Sequence, residues 1–597
     1  MERAFHFWFT IKLTYLAIEN TLTMNKILSI SLLLAMLSLS CTSPEKSETP
    51  KTDWWKDLVV YQIYPRSFND TNGDGIGDLN GIYQKLDYLE ELGIDAIWMC
   101  PFNSSPNADN GYDVSDYRNI QEDFGTMADF DKLLKGMHDR GIKLIMDVVV
   151  NHSSNEHEWF KQSRSSRDNP YRDYYHWWPA EKGKPNYRYS LFDPKGDAWK
   201  YDSTTNAYYL HYFSEQQPDL NWENPKVRQE VYDIMKFWAE KGVDGFRLDA
   251  FQFAAKDTTF PKLPDGYENN FFEYYAVQDG LHDYLKEMNE QVFSKYPVMS
   301  VAEGAGRNFQ DAHDLVDENR KELNMAYAFD GVDIAQYGGY ELSKMKQVFS
   351  KWDSAFAEKG WLSIFLSNHD QARMVSRWGN DSPEFRAVSA KMLNTFILSM
   401  RGTPYCYYGD ELGMTNIDFQ TIDQYQDIAA KNSYQKAQLD GEDMTYFMKK
   451  LNFSSRDNGR TPMQWDDSPN AGFTTGTPWL PVNENYKEIN VKTEEQNPES
   501  VLNHFKKLVA LRKDNDILVH GKYELIDASN PDIYAYTRSL DGQKVMVVLN
   551  FKQTSVRFRA PKSFKPSDVW MNNYPSFESD NENLLLKPYQ ALILKLN

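Results

Sequence analysis

Three carboxylates stand where short apolar runs end. Asp249 closes Gly245-Phe246-Arg247-Leu248, Glu303 follows Ser300-Val301-Ala302, and Asp370 ends Asn368-His369-Asp370 after Phe365-Leu366-Ser367. Cleaving a glycosidic bond takes two carboxyl groups, one protonated and one ionised. A third can orient the substrate, or raise its neighbour's pKa by like-charge repulsion. Arg247 lies two residues before Asp249, hence on the same face of a strand, where it is expected to keep that Asp ionised. His152 sits at the end of a further run, and His369 directly precedes Asp370. Taken singly, each acid reads as a loop cap or surface charge, and Asp147 as a loop anchor. The joint pattern points to chemistry.

A second pattern suits a metal. Asp70-Thr71-Asn72-Gly73-Asp74-Gly75-Ile76-Gly77-Asp78 sets oxygen donors at alternate positions: the side chains of Asp70, Asn72, Asp74 and Asp78, with the backbone carbonyl of Ile76. This is how an EF-hand loop begins, but Gly81 stands where its closing Glu would be, so the loop is no EF-hand. The expectation is a structural Ca2+ tying the loop after the first strand. The bland alternative is a Gly-rich turn with solvated acids.

Elements must bring these groups together. Leu58 to Ile63, Ile94 to Met99, Lys143 to Val150, Gly245 to Phe251, Val298 to Ala302, Leu362 to Leu366 and Pro404 to Tyr408 read as buried strands, apolar and bounded by Gly, Pro, Asn or Asp. Helical patterns lie between them, clearest in Lys226 to Lys241, with Ile82 to Leu92 and Met127 to Arg140 similar. The alternation predicts an α/β fold, a (β/α)8 TIM barrel, whose strands present catalytic groups at their carboxyl ends. Residues 52–152 and 219–520 are expected to form this barrel domain A. Residues 153–218, crowded with Trp, Tyr, Asn and Pro, form an inserted small domain B, and a second polar excursion runs from about Thr415 to Pro498. Residues 521–597 lose the helices and predict an antiparallel β-sandwich, domain C.

Composition narrows the partners. The chain has 597 residues, 65 Lys and Arg against 86 Asp and Glu, and a formal charge of −21, which repels phosphate backbones and argues against nucleic acid. Aromatics at 15 % suit a neutral substrate that stacks on rings, such as a sugar. Three cysteines, Cys41, Cys100 and Cys406, can build neither a disulfide framework nor a zinc quartet. Residues 1–51 read as a signal region and tether: Lys26 precedes an apolar run from Ile27 to Leu39, then Ser40, Cys41 and a polar stretch. This resembles a bacterial lipoprotein signal, so export is expected, to the periplasm or a membrane face, with a lipid anchor at Cys41 as the only membrane contact.

Gly111-Tyr112-Asp113, Asp147 to His152, Gln217-Pro218-Asp219-Leu220-Asn221, Gly245 to Asp249, Glu303 and Asn368-His369-Asp370 together resemble the α-amylase superfamily, glycoside hydrolase family 13. Gln217 to Asn221 and Arg460-Thr461-Pro462-Met463-Gln464-Trp465-Asp466 look like its oligo-1,6-glucosidase and α-glucosidase branch. The resemblance implies Asp249 as nucleophile, Glu303 as general acid/base and Asp370 as the group gripping the sugar in the transition state. It implies Asp113, His152, Arg247, His369 and Arg456 as glucose-pocket residues, and Phe192 as an aromatic wall. A short calcium loop is also found in that branch, and no organic cofactor is implied. The implied activity is a retaining, exo-acting α-glucosidase on short oligosaccharides. Ala250, small beside the nucleophile, leans it towards α-1,4 or mixed linkage over α-1,6. The alternatives are an oligo-1,6-glucosidase, a transglucosylating isomerase similar to trehalose synthase, and a non-catalytic sugar-binding or transporter accessory protein. The last should lack a catalytic carboxylate, and all three are present.

Overall fold

The computed structural model describes residues 53–304, 306–327, 334–335, 338–560, 566–580 and 583–596. Cys41 and the expected export segment lie outside them. Eight parallel strands form one sheet: β1 (Val60–Ile63), β2 (Ala96–Met99), β3 (Lys143–Val149), β4 (Gly245–Asp249), β5 (Met299–Ala302), β6 (Met325–Ala326), β7 (Ser363–Ile364) and β8 (Thr403–Tyr407). The strand order is β6-β5-β4-β3-β2-β1-β8-β7, and a parallel bridge from Ala326 to Leu362 joins the two edges. This closes the sheet into the expected barrel. β1, β2, β4, β5 and β8 are buried along their whole length, as strands covered on both faces must be.

Helices cover the outside. Pro225–Lys241 is the predicted clear helix: Asn224 caps its start by accepting from Lys226 N–H, and Gly242 ends it in the left-handed region at φ 105°. Its buried stripe carries Val227, Val231, Ile234 and Trp238. Met127–His138 begins with a capping box between Thr126 and Asp129. Ile82 to Leu92 is two helices, Leu79–Gln84 and Leu86–Leu92, broken at Lys85, where φ −102° and ψ 8° leave the helical region; Asp78 caps the first by accepting from Gly81 N–H.

Between β3 and β4, the aromatic-rich segment carries a helix, Glu158–Ser165, and a three-stranded antiparallel sheet of Trp177–Pro179, Trp199–Asp202 and Ala207–Leu210. Past Lys522 the chain forms a five-stranded and a three-stranded antiparallel sheet, with Ile533, Met546, Val548, Phe558, Leu584 and Leu592 in one apolar core.

Candidate active site

Register brings the acids together. β3 and β4 pair Asp147 with Arg247, and β4 and β5 pair Leu248 with Ala302. Asp249 and Glu303 are therefore the next rung, on adjacent strands that run ~4.8 Å apart; Glu303 N–H donates to Leu248 O at 3.0 Å. Arg247 joins them. Its Nη1 lies 2.5 Å from Asp249 Oδ1 and 2.8 Å from Asp147 Oδ1, and its Nη2 lies 2.7 Å from Glu303 Oε1. Ala250 N–H donates to Glu303 Oε2 at 2.7 Å.

This corrects two sequence expectations. Asp147 is no loop anchor: it is a fully buried counter-ion of Arg247 that also accepts from Trp98 Nε1 at 3.3 Å and Tyr112 Oη at 3.1 Å. Arg247 does not serve Asp249 alone, since three carboxylates share its one charge. Burial and the neighbouring Glu303 push the Asp249 carboxyl upward against the pull of Arg247. Asp249 and Glu303 thus share a single guanidinium as their counter-charge.

Asp370 sits in the opposite environment. Arg456 Nη1 and Arg460 Nη2 each lie 3.0 Å from its Oδ1, and His369 Nε2 lies 3.3 Å from Oδ2. Burial would raise this carboxyl, but the His369 N–H beside it and the charges of Arg456 and Arg460 prevail and hold it well below the usual range. His369 is fixed by Tyr112, whose ring stacks at 5.2 Å and whose Oη is 2.5 Å from Nε2, and by Gln62 at 2.7 Å from Nδ1. Burial lowers His152 and His369 to about 3, so both rings are neutral at neutral pH.

A cavity of about 70 Å³ opens onto these groups, lined by Asp249, Ala250, Glu303 and Asp370, with His152, Phe192 and Arg456 around it. Arg456 walls one side: its Nη2 lies 3.1 Å from Asp109 and 2.5 Å from Asp427, and its guanidinium rests 5.1 Å above the Phe192 ring. Asp249, Glu303, Asp370, His152, Arg456 and Phe192 thus meet at the cavity, while Arg247 and His369 support it from beneath. Asp113 stands apart. It is buried outside the lining and accepts from Ser105 Oγ and the Ala108 and Asp109 N–H groups, so it shapes the loop.

The family model for the α-amylase catalytic domain matches residues 62–521, and that for the maltogenic amylase C-terminal domain matches residues 523–593. The chain belongs to the α-amylase family, glycoside hydrolase family 13. An oligo-1,6-glucosidase of Parageobacillus thermoglucosidasius is 50 % identical to it, over 91 % of this chain and 99 % of the relative. The trehalulose synthase MutB of Pseudomonas mesoacidophila MX-45 superposes with a TM-score of 0.89 at 46 % identity, covering 91 % of this chain and 99 % of that one. The isomaltulose synthase SmuA of Protaminobacter rubrum does so with 0.89 at 45 %, over 91 % and 99 %.

Within this glycoside hydrolase, sequence reasoning missed several groups. Asp109, Tyr112 and Phe213 line the cavity, and Asp427 and Arg460 brace Arg456 and Asp370. Asp109 and Asp113 are acids four residues apart on one loop, and only the folded loop decides which faces the cavity. Burial raises Asp109 to about 6 despite the pull of Arg456.

The loop from Asp70 to Asp78 closes through its own hydrogen bonds. Asp70 Oδ1 accepts from Asn72 N–H, Asn72 Oδ1 from Asp74 N–H and Asp74 Oδ1 from Ile76 N–H, at 2.8 to 2.9 Å. Asp78 accepts from Thr71 and Gly81. The donors are all oxygen, as a hard cation requires. Among the described residues no three His, Cys, Asp or Glu side chains are arranged to hold a metal ion. A cation would have to draw Asp70, Asp74 and Asp78 inward.

Proposed function

We propose that this enzyme is a retaining exo-α-glucosidase, releasing glucose from the non-reducing ends of short isomalto- and malto-oligosaccharides. Asp249 attacks the anomeric carbon while Glu303 gives a proton to the leaving oxygen, forming a glucosyl ester. Water, deprotonated by Glu303, then attacks that ester, and α-glucose leaves. The ~4.8 Å strand spacing beneath Asp249 and Glu303 suits the ~5–5.5 Å separation of a retaining pair. Asp370, kept ionised by two guanidinium groups, accepts from sugar hydroxyls, and neutral His152 adds a hydrogen bond without adding charge, while His369 holds Asp370 in place.

The observation that carries exo-action is the Asp109–Arg456 ion pair at 3.1 Å, with Phe192 beneath it. A glucan threading past the acids would need that side open. On linkage, the 50 % identical oligo-1,6-glucosidase brings α-1,6 bonds forward. Ala250, directly after the nucleophile, leaves room for α-1,4 as well, a preference worth only ~1–3 kcal/mol. Reducing-end-labelled maltopentaose and isomaltopentaose test exo-action. Labelled product shortening one glucose at a time supports it, and a labelled di- or trisaccharide appearing first overturns it.

The likeness to trehalulose and isomaltulose synthases favours a second reading, a transglucosylating isomerase. Sucrose decides between them: glucose with fructose favours hydrolysis, whereas an isomeric disaccharide favours the isomerase. For the loop from Asp70 to Asp78, we propose a structural Ca2+ held by Asp70, Asn72, Asp74, Asp78 and the Ile76 carbonyl, with no part in catalysis.

A further inference from the structure

Beside the aromatic wall of the catalytic cavity lies a larger chamber of about 460 Å³. Phe192 is common to the lining of both cavities. One segment serves both: Phe213 faces the catalytic side, while His211 and Ser214 line the chamber. An adjoining wall comes from the helix Ile428–Asp440, whose Asn432 donates Nδ2–H to Phe192 O at 2.5 Å.

The chamber's chemistry is that of a neutral, hydroxyl-rich ligand. Trp199, His211 and Phe192 give flat rings, and Ser214, Gln216 and Asn432 give uncharged polar groups. Its charges pair among themselves or with near neighbours: Lys200 with Glu215, and Asp197 with Lys184 at 2.7 Å. Lys195 and Asp193 offset each other, so the chamber offers no concentrated charge for a phosphate or another ion. His211 lies 3.0 Å from Phe213 O through Nδ1, so that nitrogen donates and Nε2 remains an acceptor. Ser214 is the decisive group. It is 2 % exposed, yet its Oγ has no hydrogen-bond partner in the protein. A buried hydroxyl left unmatched costs ~1–3 kcal/mol, which a ligand hydroxyl would remove once the Ser214 side chain turns its Oγ into the chamber.

We propose that this chamber is a second saccharide site, taking a short neutral gluco-oligosaccharide whose hydroxyls meet Ser214 and His211 and whose ring lies against Trp199. It is separate from the cavity that holds the bond being cut, and Phe192 is the shared partition.

The test uses the whole chain carrying Glu303→Gln, titrated with maltotriose and isomaltotriose by calorimetry. Two saccharides bound per chain are expected. Adding Ser214→Ala should weaken one of the two by roughly 3- to 10-fold, the loss of one neutral hydrogen bond, and leave the other unchanged. His211→Phe, which keeps the ring and removes the acceptor, should weaken the same event. Thermal scans confirm that both variants fold. A single bound saccharide, with only water in the chamber, overturns the proposal, as do two events unmoved by either variant. Loss of the catalytic event with the chamber event retained would count against the glucosidase reading instead.

Discussion

At the scale of single residues, one guanidinium decides the chemistry. Arg247 touches Asp147, Asp249 and Glu303, so the acids cannot all be ionised at little cost. Removing the proton donor with Glu303→Gln should lower kcat on isomaltose by about 10²–10⁴-fold while the thermal transition stays put. Turnover near the wild-type rate would remove Glu303 from its role. Arg456 has a different kind of importance. It faces Asp109, Asp370 and Asp427 at once, and Arg456→Met would strand buried carboxylates. A loss of about 3–5 kcal/mol in chemical unfolding is expected, and a change under 1 kcal/mol would contradict the account. Asp410 gives a prediction in pH. Burial pushes it up to about 7, although Ser367 Oγ donates to it at 2.6 Å. Unfolded, it would release its proton near ~3.9. Between those values the folded chain holds the extra proton, so stability from this group is present at low pH and lost as pH rises through 7. Asp410→Asn should therefore gain thermal stability relative to the wild type between pH 5 and pH 8. A difference that stays flat with pH would refute this.

At the scale of elements, legibility followed burial. The barrel strands were readable because both faces are covered and nearly every position is apolar, as in Ala96–Met99 throughout and in Val60–Ile63 apart from Gln62. β7 shrinks from the expected Leu362 to Leu366 to Ser363–Ile364, since apolar runs mark burial and not strand length. β6 gave no signal at all, for Met325–Ala326 is two residues long. The excursion after β8 hid the helices Ile428–Asp440 and Met444–Ser454. Only Ala430 and Ala437 of the first are buried and none of the second, so neither carries an apolar stripe. The loop from Asp70 to Asp78 was legible as a motif but not as a contact. Its Asp70 Oδ2 meets Thr474 Oγ1 at 2.5 Å, and Trp479 N–H donates to Gly75 O at 3.0 Å, across some 400 residues of sequence. If Ca2+ fills the loop, chelation should lower the melting temperature and added Ca2+ should restore it. An unchanged transition after chelation would reduce the loop to a hydrogen-bonded turn.

At the scale of the whole molecule, the candidate site exists only because distant segments converge. Asp249 and Glu303 come from neighbouring strands, Asp370 from the loop after β7, Arg456 from the excursion after β8, and Phe192 from the insertion between β3 and β4. The strand-end acids were visible in sequence because strand ends are a rule of the barrel. Asp109 was not, because loop direction is set by tertiary contacts such as its pairing with Arg456. The −21 charge spread over the chain leaves the substrate neutral by elimination, in keeping with a cavity that holds its own counter-ions. The most direct test follows the anomeric proton by NMR while the enzyme acts on isomaltose and, separately, on maltose. The account predicts that glucose appears first as the α-anomer from both, and equilibrates to β only afterwards. Glucose appearing first as the β-anomer would mean a single inverting displacement, and would contradict Asp249 as nucleophile.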